Sequence, residues 1–151
     1  MFDSPLGFAA YVGLKLAAYI LWCYVGVRWL TPAQEKPFKR AAKLGVARLF
    51  IGVAFGIGIF IVGGMAHLEP WNNRLAQYFV IYAPVRWVEW GILSMILLTG
   101  TSSAKRLLLG DSASSRLWRL GGIVVSHLAD LPVILAMGGV SNMLPVGRFL
   151  C

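Results

Sequence analysis

Four long apolar blocks, separated by short polar stretches, set the pattern of this chain. They run over about 6–30, 41–66, 78–100 and 120–144. None alternates with the period of two that a half-buried strand needs. Each instead reaches the ~20 predominantly apolar residues that a helix requires to cross a bilayer. The pattern predicts an all-α integral membrane four-helix bundle, a single transmembrane domain filling residues 1–151. Breakers punctuate the blocks. Trp29-Leu30-Thr31-Pro32 closes the first, and Pro70-Trp71 sits between the second and third. In the third connection, Leu107 to Leu109 follow Lys105 and Arg106 among several serines, which fits either a segment lying flat on the inner leaflet or a plain flexible loop.

Composition sharpens this picture. Only 13% of the residues are charged, against roughly 25% in a soluble domain, so little is left over for an aqueous domain. The net charge of +8 would suit nucleic acid, but its distribution does not. Lys36, Lys39, Arg40 and Lys43 follow the first block, and Lys105, Arg106, Arg116 and Arg119 follow the third. The other side offers only Arg74 and Arg148 beside Asp3 and Glu69. Short loops rich in Lys and Arg remain cytoplasmic, which predicts both termini outside, on the periplasmic side of a bacterial-type cytoplasmic membrane. The expected contacts are anionic lipid headgroups rather than nucleic acid. The N-terminus has no basic segment before its long apolar run, unlike a cleavable signal peptide. Cys23 and Cys151 fall toward opposite sides and form no CxxC, so no thiol redox site is expected.

Six ionisable residues interrupt the apolar blocks: Lys15, Arg48, Arg86, Glu89, His127 and Asp130. Such residues are costly in hydrocarbon and mark functional sites by default. At 1.5 Å per residue, Arg86, Lys15 and Glu89 fall roughly 12–17 Å deep, Asp130 about 21 Å, and His127 and Arg48 roughly 25–27 Å. The expectation is one polar column. Arg86 and Glu89 are three apart, as are His127 and Asp130, and Tyr82, Trp87 and Trp90 surround the first pair. Tyr11, Lys15, Tyr19 and Trp22 share a stripe of the first helix. Pro84 and Pro132 each free a backbone carbonyl beside the polar residues. In the second helix Gly52 and Gly56 form a GxxxG pair in line with Arg48, the signature of close packing inside the bundle.

Two accounts compete for this column. Lys15–Glu89 and Arg86–Asp130 pairs could fix helix register, although buried pairs add little net stability. Alternatively the column binds or moves a small polar or protonatable substrate, with Glu89, Arg86, Asp130, His127, Arg48 and Lys15 as its polar groups and Tyr82, Trp87 and Trp90 as its walls. A third possibility is a membrane enzyme acting on a lipid or lipid-linked substrate, with His127 as base and Asp130 as its orienting carboxylate. No catalytic motif supports that assignment, and two residues three apart on one helix orient each other poorly. No cofactor is indicated: two histidines are too few for a closed metal site, and His67 and His127 lie at unequal depth. A haem held by His127 and Met95 is the one geometry that depth allows.

Arg86-Trp87-Val88-Glu89-Trp90 resembles the third helix of microbial rhodopsins, where an arginine, an aromatic, a carboxylate and a tryptophan share this spacing. The resemblance implies for Glu89 the place of the Schiff-base counter-ion. It covers residues 82–91 alone. That family has seven helices and a lysine in the last; four helices are predicted here, and 120–144 holds no lysine. No retinal function is therefore carried over. The preferred expectation is a polar-substrate site in a homo-oligomer, with an enzyme or a structural subunit of a larger membrane complex as alternatives.

Overall fold

The computed structural model describes residues 5–65, 74–98, 104–110 and 112–136, and every element among them is helical. The helices are α1 (Pro5–Leu30), α2 (Pro37–Met65), α3 (Arg74–Leu98), α4 (Ala104–Leu109) and α5 (Ala113–Ala136). Proline opens α1 and α2, where the missing N–H leaves no bond unmade. Helix α1 stops at Thr31, whose amide and hydroxyl both donate to the Val27 carbonyl, and Pro32 forbids continuation. Gly110, at a φ of 77°, closes α4 by donating its amide to the Arg106 carbonyl. Ser112 caps α5 by accepting from the Ser115 amide.

Among the described residues, three helical stretches, Leu6–Leu30, Pro37–Val62 and Ala76–Leu98, are long and apolar enough to cross a membrane. The burial pattern agrees, because it inverts that of a soluble protein. Lys15, Arg48, Arg86, Glu89, Arg119 and Asp130 are buried, whereas Leu6, Phe50, Val62, Leu128 and Leu135 face outward. Hydrocarbon rather than water is the solvent that such a surface suits.

Two boundaries differ from the sequence expectation. Helix α3 starts at Arg74, which takes Arg74 and Gln77 out of the second connection. Helix α5 starts at Ala113 rather than 120, because Ser112 supplies an N-cap inside the serine-rich stretch. Arg116 and Arg119 therefore ride on a helix rather than a loop. The remainder of the expected fourth block, 137–144, lies outside the described residues, as do Cys151, Glu69 and His67. Residues 104–109 of the third connection form α4 instead of an irregular loop.

Helix α1 packs on α2 and α5, and α3 packs on α2, α4 and α5. Successive long helices run antiparallel: Arg40 reaches the Leu97 carbonyl near one end of α2 and α3, while Arg48 reaches Glu89 further along. Glycines set the closest approaches. A Cβ on Gly45 would come within 2.9 Å of the Ile20 backbone amide, so α1 and α2 nearly touch there. Helices α1 and α5 meet through two tryptophans. Trp22 donates its indole N–H to the Trp118 carbonyl at 3.0 Å, and Trp118 returns the bond to the Trp22 carbonyl at 3.2 Å. Each ring occupies space a side chain would need, Trp118 against Gly26 and Trp22 against Gly121. An apolar layer of Tyr19, Cys23, Leu44, Trp90, Leu93 and Trp118 lies toward the α4 end, and Tyr78, Tyr82 and Ile134 form a smaller one at the opposite end.

Candidate functional site

Between those two apolar layers the helices bring their charged side chains together. On α5, Asp130 is held by two helices at once. From α1 it accepts Lys15 Nζ at 2.7 Å and the Tyr11 hydroxyl at 2.9 Å. From α3 it pairs with the Arg86 guanidinium and accepts the Tyr78 hydroxyl at 3.3 Å. Tyr78 in turn accepts from Arg86 and lies 3.2 Å from His127 Nδ1. A tyrosine has one proton to give. With that proton on Asp130, Nδ1 of His127 is the donor to Tyr78, and Nε2 is the nitrogen with the free lone pair.

One turn deeper toward α4, Arg48 of α2 pairs with Glu89 of α3 at 2.5 Å. Its guanidinium lies over the Tyr19 ring, 4.9 Å from the centroid, and 5.3 Å from that of Trp90. Ser126 receives Trp90 Nε1 at 3.1 Å and donates its own proton to the Gly122 carbonyl at 2.8 Å. Trp90 can pack so tightly on α5 because residue 122 is glycine; a Cβ there would sit 2.4 Å from the indole. Glu89 also lies within electrostatic reach of Arg86, Lys15 and Asp130, so the two levels form one cluster.

The column expected from the sequence is therefore assembled, with its pairing rearranged. Lys15 meets Asp130 rather than Glu89, and Arg48 takes Glu89. Arg86 does pair with Asp130. The cause is helical geometry: three residues along α3 turn the side chain by about 60°, so Arg86 points to α5 while Glu89 points to α2. The side-chain ends of Lys15, Arg86 and Asp130 meet, although the expected depths differ.

Two expected residues play other parts. Trp87 is half-buried and donates to the Leu108 carbonyl at 2.7 Å, so it holds α4 rather than lining the column. Asp130 does not orient His127, which meets Tyr78 instead, and the Ser126 proton is already spent on a backbone carbonyl. Trp90, Tyr82 and His127 do border the cluster, Tyr82 with its ring 5.7 Å from the Arg86 guanidinium carbon.

Sequence reasoning missed Tyr78, the hub between Asp130, Arg86 and His127. Its signal was available, since Tyr78, Tyr82 and Arg86 recur every four residues on one face of α3. It also missed Arg119, which is fully buried. Arg119 donates to Ser94 Oγ and to the carbonyls of Arg106 and Leu107, satisfying the last turn of α4.

Several polar atoms in the column are buried without a hydrogen-bond partner among the described residues. They are Nε and Nη1 of both Arg48 and Arg86, the Tyr19 hydroxyl, Glu89 Oε1 and His127 Nε2. No three His, Cys, Asp or Glu side chains cluster closely enough among the described residues to hold a metal ion. An apolar groove between α1 and α5 is lined by Leu14, Ala18, Leu21 and Leu128, none of them a member of the column. Compared with known proteins, the chain matches no family model, no curated protein and no solved structure.

Proposed function

We propose that this chain is a multi-pass protein of a bacterial-type cytoplasmic membrane whose buried column binds or translocates a small polar or protonatable substrate. In this reading α5 is the fourth span of a four-helix bundle, both termini are outside, and the chain works as an oligomer or within a larger complex. The basic residues support that orientation, because Arg28, Lys36, Lys39, Lys105 and Arg116 gather at the end where α4 lies.

The unpartnered atoms carry the functional part. A buried polar network with members left open is less stable than an apolar interior of the same shape. Each open donor or acceptor costs roughly 1–3 kcal/mol. A column kept only to fix helix register has no use for open donors. Register between α1 and α5 is moreover set by the Trp22–Trp118 exchange, which involves no charge. Open hydrogen-bonding capacity is what a site for a polar substrate requires. The enzyme alternative gains less, because neither Ser126 nor His127 is arranged as a nucleophile or its base.

The test is reconstitution into proteoliposomes and measurement of currents on rapid exchange of small organic acids, halides and amines. At least one class produces a current in the wild type. Glu89→Gln, which keeps the shape of the side chain, abolishes it without altering the elution volume in detergent. A protein that moves and binds none of them, with Glu89→Gln indistinguishable from wild type, refutes the reading.

A further inference from the structure

From the donors left open, we infer that the substrate of this column is a small monovalent anion. The inference rests on the proposed binding role of the column and names its chemical class. Three observations point the same way.

The first is the kind of atom left open. Five of the unpartnered atoms are donors: Nε and Nη1 of Arg48, the same pair on Arg86, and the Tyr19 hydroxyl. Only two, Glu89 Oε1 and His127 Nε2, are acceptors with no proton to give. A guanidinium has no lone pair to offer, so a ligand that completes either arginine must be an acceptor. An ammonium, which only donates, would meet mostly like groups.

The second is charge. Lys15, Arg48 and Arg86 face Glu89 and Asp130, and Asp130 is shared between two cations. Among these five buried groups one positive charge is in excess. Three cations set around two carboxylates give the column a positive potential, which favours an anion over a cation.

The third is the aromatic walls. Cation recognition in a greasy site relies on open ring faces. Here the protein's own guanidinium groups occupy them: Arg48 lies over Tyr19 and Trp90, and Arg86 lies 5.8 Å from the Tyr78 centroid and 5.7 Å from that of Tyr82. A ligand cation would have to displace an arginine from its ring. An anion instead approaches the open edges of guanidinium groups that the rings already orient.

The experiment is a binding titration of the purified full chain, with sodium gluconate as the background salt. Sodium formate, nitrate and chloride are the anion probes, and methylammonium gluconate is the cation probe. Binding is read from the thermal midpoint and from tryptophan fluorescence, since Trp90 packs on Arg48. At least one anion raises the midpoint saturably, and methylammonium does not. Tyr19→Phe weakens that anion by about tenfold or more, the loss of one hydrogen bond to a charged group. Its ligand-free midpoint does not fall, because the hydroxyl makes no bond within the described protein. Arg48→Lys, which keeps the charge and removes the open fork, weakens it as well.

Saturable binding of methylammonium alone overturns the anion assignment and leaves the polar-substrate reading standing. Binding of neither class overturns both. Anion binding that is equal in wild type, Tyr19→Phe and Arg48→Lys places the anion elsewhere and overturns the inference.

Discussion

Replacing both members of the Arg48–Glu89 pair with apolar residues separates what the pair does for folding from what it does for function. Both side chains are fully buried, and three of their polar atoms lack a partner among the described residues. Glu89→Leu alone leaves a buried guanidinium without its carboxylate, a loss of about 3–5 kcal/mol. Arg48→Met alone leaves the converse and costs a similar amount. The double variant removes both charges together with the three open atoms, so it is expected to be neutral or more stable by ~1–4 kcal/mol. Independent sites would instead sum to a loss of roughly 6–10 kcal/mol, most of the 5–15 kcal/mol that holds a domain together. The assay is a double-mutant cycle on unfolding in mild detergent, followed by the fluorescence of Trp90 and its neighbours. Substrate binding is measured on the same four proteins. A stable double variant without binding identifies the pair as functional. A double variant as damaged as the sum of its parts refutes the reasoning, because the two charges would then not be each other's partner.

Three further outcomes follow from the same geometry. Asp130→Asn removes the one carboxylate shared by Lys15 and Arg86, so it loses about 3–5 kcal/mol in the same unfolding assay, and adding Lys15→Met recovers part of it. Gly122→Ala forces a methyl group to 2.4 Å from the Trp90 ring and costs roughly 1–3 kcal/mol by thermal unfolding. Gly58→Ala, where nothing lies within 4 Å of the new methyl, gains up to about 1 kcal/mol by helix propensity, and an equal effect of the two changes would contradict the packing described. Trp87→Phe deletes the bond to the Leu108 carbonyl and raises amide hydrogen exchange across α4, while substrate binding stays unchanged; a change in binding would put Trp87 back in the column.

The length and sharpness of the apolar blocks made the helices legible, and the rarity of charge in hydrocarbon made the column legible. Lys15, Arg48, Arg86, Glu89 and Asp130 were identifiable because each is expensive where it stands. Their partners were not, because the partner of a helical side chain depends on the rotation of each helix about its axis. A sequence gives spacing within a helix but not the angle between two. The same limit hid Arg119. Counted by position it is one more basic residue of a loop, yet the N-cap at Ser112 carries it into α5 and turns it toward Ser94 and α4. Tyr78 was lost to a boundary: placing the start of the third helix at residue 78 made a hub into an edge.

The paired tryptophans between α1 and α5 also limit how this molecule can move. Sliding one helix past the other by a single turn, about 5.4 Å, would break both indole bonds and drive each ring into side chains instead of glycine. The crossing at Trp22 and Trp118 therefore blocks sliding between α1 and α5. Lys15, about two turns from Trp22, and Asp130, about three turns from Trp118, join the same two helices again. Arg86 and Glu89 are on α3, which carries Pro84 two residues before Arg86 and so has a weakened point at which to bend. A swing of α3 away from α5 therefore has to break the Arg86–Asp130 contact that joins them, while the α1–α5 crossing stays closed.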